Sequence, residues 1–365
     1  MEGFVKVGPS LYYASDKNVY DALNQSKVDQ DTVQAMFRRR NIVCSKQTTR
    51  QELARFFSRL THDSLDHMDL SRRLGVNKRQ ERVTALYLKG DISPAAIART
   101  VEVIRQAVLA EGDSLHVAGS GPSTVMNIRY TEVDFRRSEF SQIQHREGYI
   151  ELIPEKGELM IRCTQAGHIE AVRKQLVSAL EYDEQKKFEQ SEVSLFHHTN
   201  HITRSKFFYD LMMQLPGFVH RDVTDVFVYK ARPDADEDDG GLIDDSGESH
   251  VEKVLLRGKG VSRSDLLREL TQDKSYYIVR AGWIATELRG TGFGYDIEAM
   301  FADTVNCTGF SYILHGVHEL DDNGRLLRKR RGPTTAEIDT VARAIEVRAR
   351  ELVRNLDVPQ KEANA

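Results

Sequence analysis

Positively charged side chains are concentrated in the first third of the chain. Between Arg38 and Lys89 there are thirteen lysines and arginines against five acids, a net charge of +8. Such side chains bind a polyanion by displacing its condensed counterions, and their contacts with phosphates position a protein without reading the base sequence. The pattern favours a phosphate-binding surface, which we assign to Arg38, Arg39, Arg40, Lys46 and Arg50. The alternative is a solvated basic face that pairs with acids elsewhere in the chain.

A second basic cluster lies near the C-terminal end of the sequence. It consists of Arg328, Lys329, Arg330 and Arg331, and we expect these residues to form a loop directly before a helix predicted to begin near Thr334. Free backbone N–H groups at a helix N-terminus attract phosphate, so we expect these four side chains to bind phosphate as well. A turn or a strip that docks another protein is the competing interpretation.

Two short helices and an extended linker must position the first cluster. Val33, Met36 and Phe37 recur at helical spacing, which predicts the first helix. The pair Thr49 and Glu52 has the spacing of a capping box, which predicts the start of the second helix. Its predicted apolar stripe consists of Leu53, Phe56, Phe57 and Leu60.

This arrangement over residues 31–60 resembles the helix–extended loop–helix modules of the SAP and LEM type. The resemblance rests on Val33, Met36, Phe37, Ile42, Val43, Ser45-Lys46, Arg50, Glu52-Leu53 and Arg59-Leu60. The sequence departs from the pattern at Thr48-Thr49, where the family usually has a glycine before the second helix. The resemblance implies a small unit of the kind that often binds DNA or RNA.

The wider pattern predicts an α+β protein, with an N-terminal helical module followed by mixed α+β domains with mainly antiparallel sheets. We expect a helical, basic domain over 1–112, a small α+β domain over 113–190, and an α+β domain over 191–365. Ser93-Pro94 marks a helix start in the first domain. The capping box Thr334-x-x-Glu337 begins a long amphipathic helix in the last domain.

An acidic segment interrupts the last domain. Residues 233–249 carry eight acids and no basic side chain, so the rest of the chain has a net charge of +4 although the whole has −4. Such a composition cannot bury enough apolar surface to order itself, and we expect a mobile loop. A solubilising insertion is the simplest interpretation, and a calcium or magnesium site or a tethered mimic of a phosphate backbone are the alternatives.

Motifs for known catalysis are missing from the sequence, so we expect no catalytic residue, cofactor or metal centre. His197 and His201 are four residues apart, but no glutamate completes a zinc signature. A glycine-rich stretch at 290–294 precedes residues 296–301, which we predict to be helical and which could place backbone amides around an anion. For a metal-dependent nuclease, the rival carboxylates are Asp222, Asp225 and Glu252.

Bulk properties limit where the protein works. The 365 residues are 40% hydrophobic and 29% charged, and no apolar run is long enough to span a bilayer. Three widely spaced cysteines (Cys44, Cys163 and Cys307) and the lack of a signal peptide predict a cytoplasmic protein that does not contact a membrane.

The combined interpretation is a nucleic-acid-binding, non-catalytic subunit or accessory protein, with DNA favoured over RNA. We also expect a protein partner or homo-oligomerisation, as in an accessory component of a larger complex such as an antiviral defence system. A metal-dependent nuclease and a scaffold that docks an acidic protein partner remain the alternative functions.

Overall fold

The computed structural model describes residues 14–74, 80–120, 123–137, 139–230, 252–258, 260–261, 264–288, 292–321, 323 and 325–357. These ranges contain nine α-helices and twelve strands. The described strands form antiparallel pairs. The predicted mixed α+β class with mainly antiparallel sheet is therefore confirmed. The chain divides into two compact units: described residues of unit 1 come from 14–74, 93–151 and 166–186, and those of unit 2 from 80–92, 152–165 and 187–357.

Four short helices open unit 1: α1 (Asp16–Leu23), α2 (Gln30–Arg39), α3 (Arg50–Ser58) and α4 (Ser64–Leu74). The predicted capping box at the start of α3 is confirmed, because Thr49 and Glu52 exchange hydrogen bonds there. The apolar faces of the four helices bury a common core, which includes Val19, Leu23, Val33, Phe37, Leu53, Phe57, Leu70 and Leu74. Burial of these faces, rather than intrinsic helix propensity, stabilises such short helices.

The rest of unit 1 consists of α5 (Pro94–Ala110), β2 (Ser114–Ser120), β3 (Ser123–Val133), the first part of β4 (Ile143–Glu155) and α6 (Gly167–Asp183). Ser93 caps α5 and Pro94 occupies its first turn, as predicted. β2 and β3 form a hairpin in which Leu115 pairs with Ile128. Arg99 of α5 donates two hydrogen bonds to Asp183 of α6, at 2.9 and 2.7 Å, and ties the helices together.

The sheet of unit 2 contains β1 (Val83–Lys89), the end of β4, β5 (Glu158–Thr164), β6 (Glu189–Glu192), β7 (Phe218–Tyr229), β8 (Lys253–Arg257), β9 (Tyr277–Glu287), β10 (Gly294–Asp303), β11 (Thr308–Leu320) and β12 (Leu326–Arg331). Its order is β5-β1-β11-β10-β9-β7-β8, with β6 also paired to β1 and β12 to β11. A β-bulge interrupts the pairing of β10 and β11 next to Asp296.

Three helices complete unit 2: α7 (His201–Met213), α8 (Asp265–Arg268) and α9 (Thr335–Asp357). Phe207 and Phe208 of α7 pack against Phe301 of β10, with ring centroids 5.6 and 5.7 Å apart. Arg162 of β5 lies buried under α9 and donates hydrogen bonds of 2.8 and 2.7 Å to Glu346. α7 therefore packs on the sheet through aromatic side chains, and α9 is joined to it by a buried ion pair.

Two expectations about local structure are wrong. Residues 296–301, predicted as a helix, belong to β10, because Tyr295, Ile297, Ala299 and Phe301 are buried at every second position, which is the strand period. The basic residues before the last helix form β12 rather than a loop.

Further expectations concern the domain boundaries, the acidic segment and membrane-spanning helices. β1 lies inside the segment predicted to be helical and belongs to unit 2. The domain boundaries at 112 and 190 stay predictions, and the acidic residues 233–249 lie outside the described part of the chain. Within the described ranges, no helix combines the length and the apolar character needed to cross a membrane.

Candidate nucleic-acid interface

Arg39 and Arg40 are held by acids of the neighbouring helix. Arg40 forms an ion pair with Asp66, whose side chain is only 6% exposed, and its guanidinium lies 4.8 Å from the centroid of the Phe57 ring. Arg39 reaches Asp66 at 3.4 Å and Asp69 at 2.6 Å. Both arginines therefore join the end of α2 to α4.

Arg50 has a different structural contact. Its Nε and Nη2 donate hydrogen bonds of 2.9 and 2.7 Å to the carbonyl oxygen of Leu23, and Nη2 also contacts the carbonyl of Gln25. Leu23 is the last residue of α1, where backbone carbonyls lack helical partners. Arg50 therefore caps the C-terminus of α1 from the first position of α3.

The two arginines at the end of β12, Arg330 and Arg331, also form ion pairs with carboxylates. Arg331 donates hydrogen bonds of 2.9 and 2.6 Å to Glu337, and Arg330 pairs with Asp296 of β10. The hydrogen bonds from Arg331, opposed by burial and assisted by those from Thr334, lower the pKa of Glu337 to about 2. Arg331 thereby links β12 to the capping box that begins α9, and the predicted box is confirmed by Thr334 and Glu337.

The remaining four predicted residues are exposed. Arg38 and Lys46 lie in unit 1, Arg328 and Lys329 in unit 2, and none of the four has an ion pair within 4 Å in the described part of the chain. Arg38 makes one long hydrogen bond to Gln34, at 3.5 Å. The phosphate contacts assigned to all nine residues stay predictions, but five of the nine have structural partners.

The exposed side of α3 carries two further arginines beside an aromatic ring. Arg55 lies in the last turn of α3 and Arg59 is its C-cap residue, four positions later, while Phe56 lies three residues before Arg59, so the three side chains are close to one another at the C-terminal end of the helix. The ring of Phe56 is 56% exposed, and one side of it stacks on Phe37 with centroids 5.9 Å apart. We call Arg55, Phe56 and Arg59 the basic α3 face.

The basic α3 face keeps the positive charges of its two arginines. Across the described ranges, neither Arg55 nor Arg59 has an ion pair within 4 Å. The nearby acid Glu52 accepts hydrogen bonds of 2.8 and 3.0 Å from Thr49, and these lower its pKa, with a smaller contribution from the charge of Arg55. Glu52 is thus committed to the capping box.

The linker between α2 and α3 is compatible with the missing glycine. Asn41 adopts the left-handed conformation (φ 57°) just after α2, while Thr49 is extended (φ −67°, ψ 153°). The residue before α3 therefore needs no glycine, and asparagine tolerates the conformation at the other end. Val43 in this linker is 91% exposed, on a segment that also carries Lys46.

Sequence reasoning missed Phe56 as a surface residue. It assigned Phe56 to the apolar stripe of α3 with Leu53 and Phe57, which are buried. Its exposure was indicated by two neighbouring arginines in the sequence, Arg55 one residue before it and Arg59 three residues after it.

The carboxylates predicted for a metal-dependent nuclease, those of Asp222, Asp225 and Glu252, do not form a cluster in the described part of the chain. Asp222 accepts a hydrogen bond from the backbone N–H of Gly260 at 2.9 Å, and Asp225 lies 3.8 Å from Arg280. Among the described residues, neither aspartate belongs with Glu252 to a set of three ligand atoms close enough to share one ion. His197 precedes α7 and His201 begins it, so the two do not share a helix.

Comparison with known proteins assigns no relationship. No model of a protein family matches the chain, and no curated protein sequence matches it either. The function therefore has to be inferred from the side chains themselves.

Proposed function

We propose that the protein is a non-catalytic nucleic-acid-binding protein and that the basic α3 face contacts the ligand. The observation that carries this proposal is an exposed aromatic ring, Phe56, between two arginines that lack a carboxylate partner among the described residues. Aromatic rings stack on unpaired bases, and guanidinium groups pair with phosphates. Single-stranded DNA offers both groups and is the first ligand to test.

Two further exposed cations of the helix–linker–helix segment extend the proposed contact. Arg38 follows Phe37, on which Phe56 stacks, and Lys46 lies in the linker that joins the two helices. Cations that are already exposed bind phosphate without first breaking an internal ion pair, whereas Arg39, Arg40 and Arg50 would each have to release a partner. The proposal therefore rests on Arg38, Lys46 and the basic α3 face.

The test is a binding titration of labelled single-stranded DNA with a variant that carries Arg55→Ser and Arg59→Ser. Loss of two phosphate contacts is expected to weaken binding about tenfold or more at low salt. The matched control carries Arg136→Ser and Lys174→Ser, which removes two exposed positive charges of unit 1 from outside α1–α4.

Two outcomes would oppose the proposal. Equal affinity of the variant and the wild type would show that the basic α3 face does not contact DNA. Competition by polyglutamate as effective as that by unlabelled DNA would show that the face recognises negative charge alone, as a surface that docks an acidic protein would.

A further inference from the structure

Three metal-ligating side chains converge in unit 1, apart from the basic α3 face. They are Glu111, Asp113 and His168, and one ligand atom from each lies within 4.8 Å of the other two. Nε2 of His168 lies 3.2 Å from Oδ2 of Asp113. No other described set of three or more histidine, cysteine, aspartate or glutamate side chains meets this criterion.

The fold fixes two of these three side chains. Glu111 is the C-cap residue of α5. Gly112, with a φ of 84°, turns the chain so that Asp113 enters the interior with a side chain only 4% exposed. His168 lies in the first turn of α6, and its ring stacks on Tyr130 of β3 at 4.3 Å between centroids and 14° between planes. The stacking holds the imidazole in place beside the carboxylate.

Nε2 of His168 faces the buried carboxylate of Asp113. Nε2 of His168 is buried, and it makes no hydrogen bond to any described group although a carboxylate oxygen lies 3.2 Å away. Buried polar atoms usually have a well-aligned partner, and here the nearest one is the carboxylate of Asp113. An ion bound between the nitrogen and the carboxylate would satisfy both atoms.

The separations agree with shared coordination. Nitrogen and oxygen ligands lie about 2.1 Å from Zn²⁺, so two ligands of one ion are about 3.0 Å apart at a right angle and about 3.4 Å apart in a tetrahedron. The 3.2 Å separation lies between these values. Glu111 is exposed, so its carboxylate is free to close the remaining distance by changing rotamer.

We propose that Glu111, Asp113 and His168 bind a divalent transition-metal ion, with Zn²⁺ as the first candidate. One imidazole and two carboxylates suit Zn²⁺ or Mn²⁺, whereas Ca²⁺ and Mg²⁺ prefer oxygen ligands alone. Three protein ligands leave at least one coordination position for water or another small ligand. This inference is independent of the proposed function, and it departs from the sequence-based expectation of no metal centre.

The experiment is calorimetric titration of the full chain with Zn²⁺ after treatment with a chelator. We expect one ion per chain, and at least a tenfold loss of affinity in Glu111→Gln and in His168→Gln, since each removes a ligand. Glu111 is exposed, so Glu111→Gln tests the site without disturbing the interior. Visible spectra of the Co²⁺-loaded protein provide a second readout, because loss of the imidazole changes the ligand field.

The matched control is His198→Gln. His198 lies 2.9 Å from Asp357 in another histidine–carboxylate pair, but no third ligand of the described chain is grouped with it. Unchanged binding in His198→Gln, together with loss in the other two variants, is the expected result. Absence of stoichiometric binding in the wild type, or equal binding in all three variants, would overturn the proposal.

Discussion

At the scale of single residues, the arginines of the N-terminal helices divide by their surroundings. Arg40 contacts a carboxylate that is almost fully buried, and Arg50 contacts the carbonyl groups that end α1. Arg55 and Arg59 extend from the outer surface of α3. One basic run in the sequence therefore contains arginines that stabilise the helical core and arginines that are available to a ligand.

Replacement of Arg40 by serine is expected to destabilise the protein by about 3 kcal/mol, because it leaves the buried Asp66 with an incomplete set of partners. The value is at the low end for a broken buried pair, since Arg39 still lies 3.4 Å from Asp66. Unfolding in urea measures the effect. Arg38→Ser is the control, and its exposed side chain predicts a change within about 0.5 kcal/mol. Similar losses of unfolding free energy in Arg40→Ser and Arg38→Ser would contradict the distinction between structural and exposed arginines.

Replacement of Phe56 by alanine is expected to weaken binding of single-stranded DNA about 5- to 100-fold, which corresponds to the loss of one stacked base. Duplex binding is expected to change little, because paired bases cannot reach the ring. Anisotropy titrations with both DNA forms measure the difference, and thermal unfolding checks that the half-exposed ring is not needed for folding. An equal loss for both forms would exclude stacking on Phe56.

At the scale of elements, local signals predicted the starts of helices well. Ser93-Pro94, Thr49 with Glu52, and Thr334 with Glu337 each form the caps that their spacing indicates. Residues 296–301 were assigned incorrectly. Apolar side chains recur in this segment at every second position, which is the strand period, and β10 pairs with β9 and β11 on its two sides.

The sheet of unit 2 contains a polar network that joins three strands. Glu298 of β10 pairs with Arg82 beside β1 and lies 3.3 Å from His315 of β11. Burial opposes ionisation of Glu298, but the hydrogen bonds from His315 and Arg82 and the charges of Arg82 and Arg280 outweigh it and lower its pKa to about 2.

This network predicts a pH dependence of stability. Because the folded-state pKa of Glu298 is lower than its ordinary value of 4.5, its contribution of about 3 kcal/mol is complete above that pH and is lost as the pH falls toward 2. In urea unfolding, Glu298→Gln is expected to be less stable than the wild type at pH 6, with the difference shrinking as the pH falls. A difference independent of pH would show that the glutamate acts by packing alone.

At the scale of the whole molecule, each unit is assembled from separated segments of the chain. Asp113 and His168 are 55 residues apart and meet only because α5 and α6 pack together. The sequence contains no spacing that indicates this cluster, so it could not be predicted. The basic run and the helix–linker–helix arrangement are local, which is why they were visible in the sequence.

Net charge does not favour the proposed binding of nucleic acid. The whole chain carries −4, so any attraction to DNA must come from local cations such as Arg38, Lys46, Arg55 and Arg59. Local contacts have a defined salt dependence, because each neutralised phosphate of a single strand contributes a slope of about −0.7. The four cations together predict a slope of about −3.

The most direct test of the central claim is the affinity of the wild-type protein for single-stranded DNA, measured over a series of KCl concentrations. The plot of the logarithm of the association constant against that of the salt concentration is expected to fall with a slope of about −3, and by about 1.4 less steeply in the variant with Arg55→Ser and Arg59→Ser. A slope near zero, the same slope in both proteins, or no binding at low salt would contradict the claim.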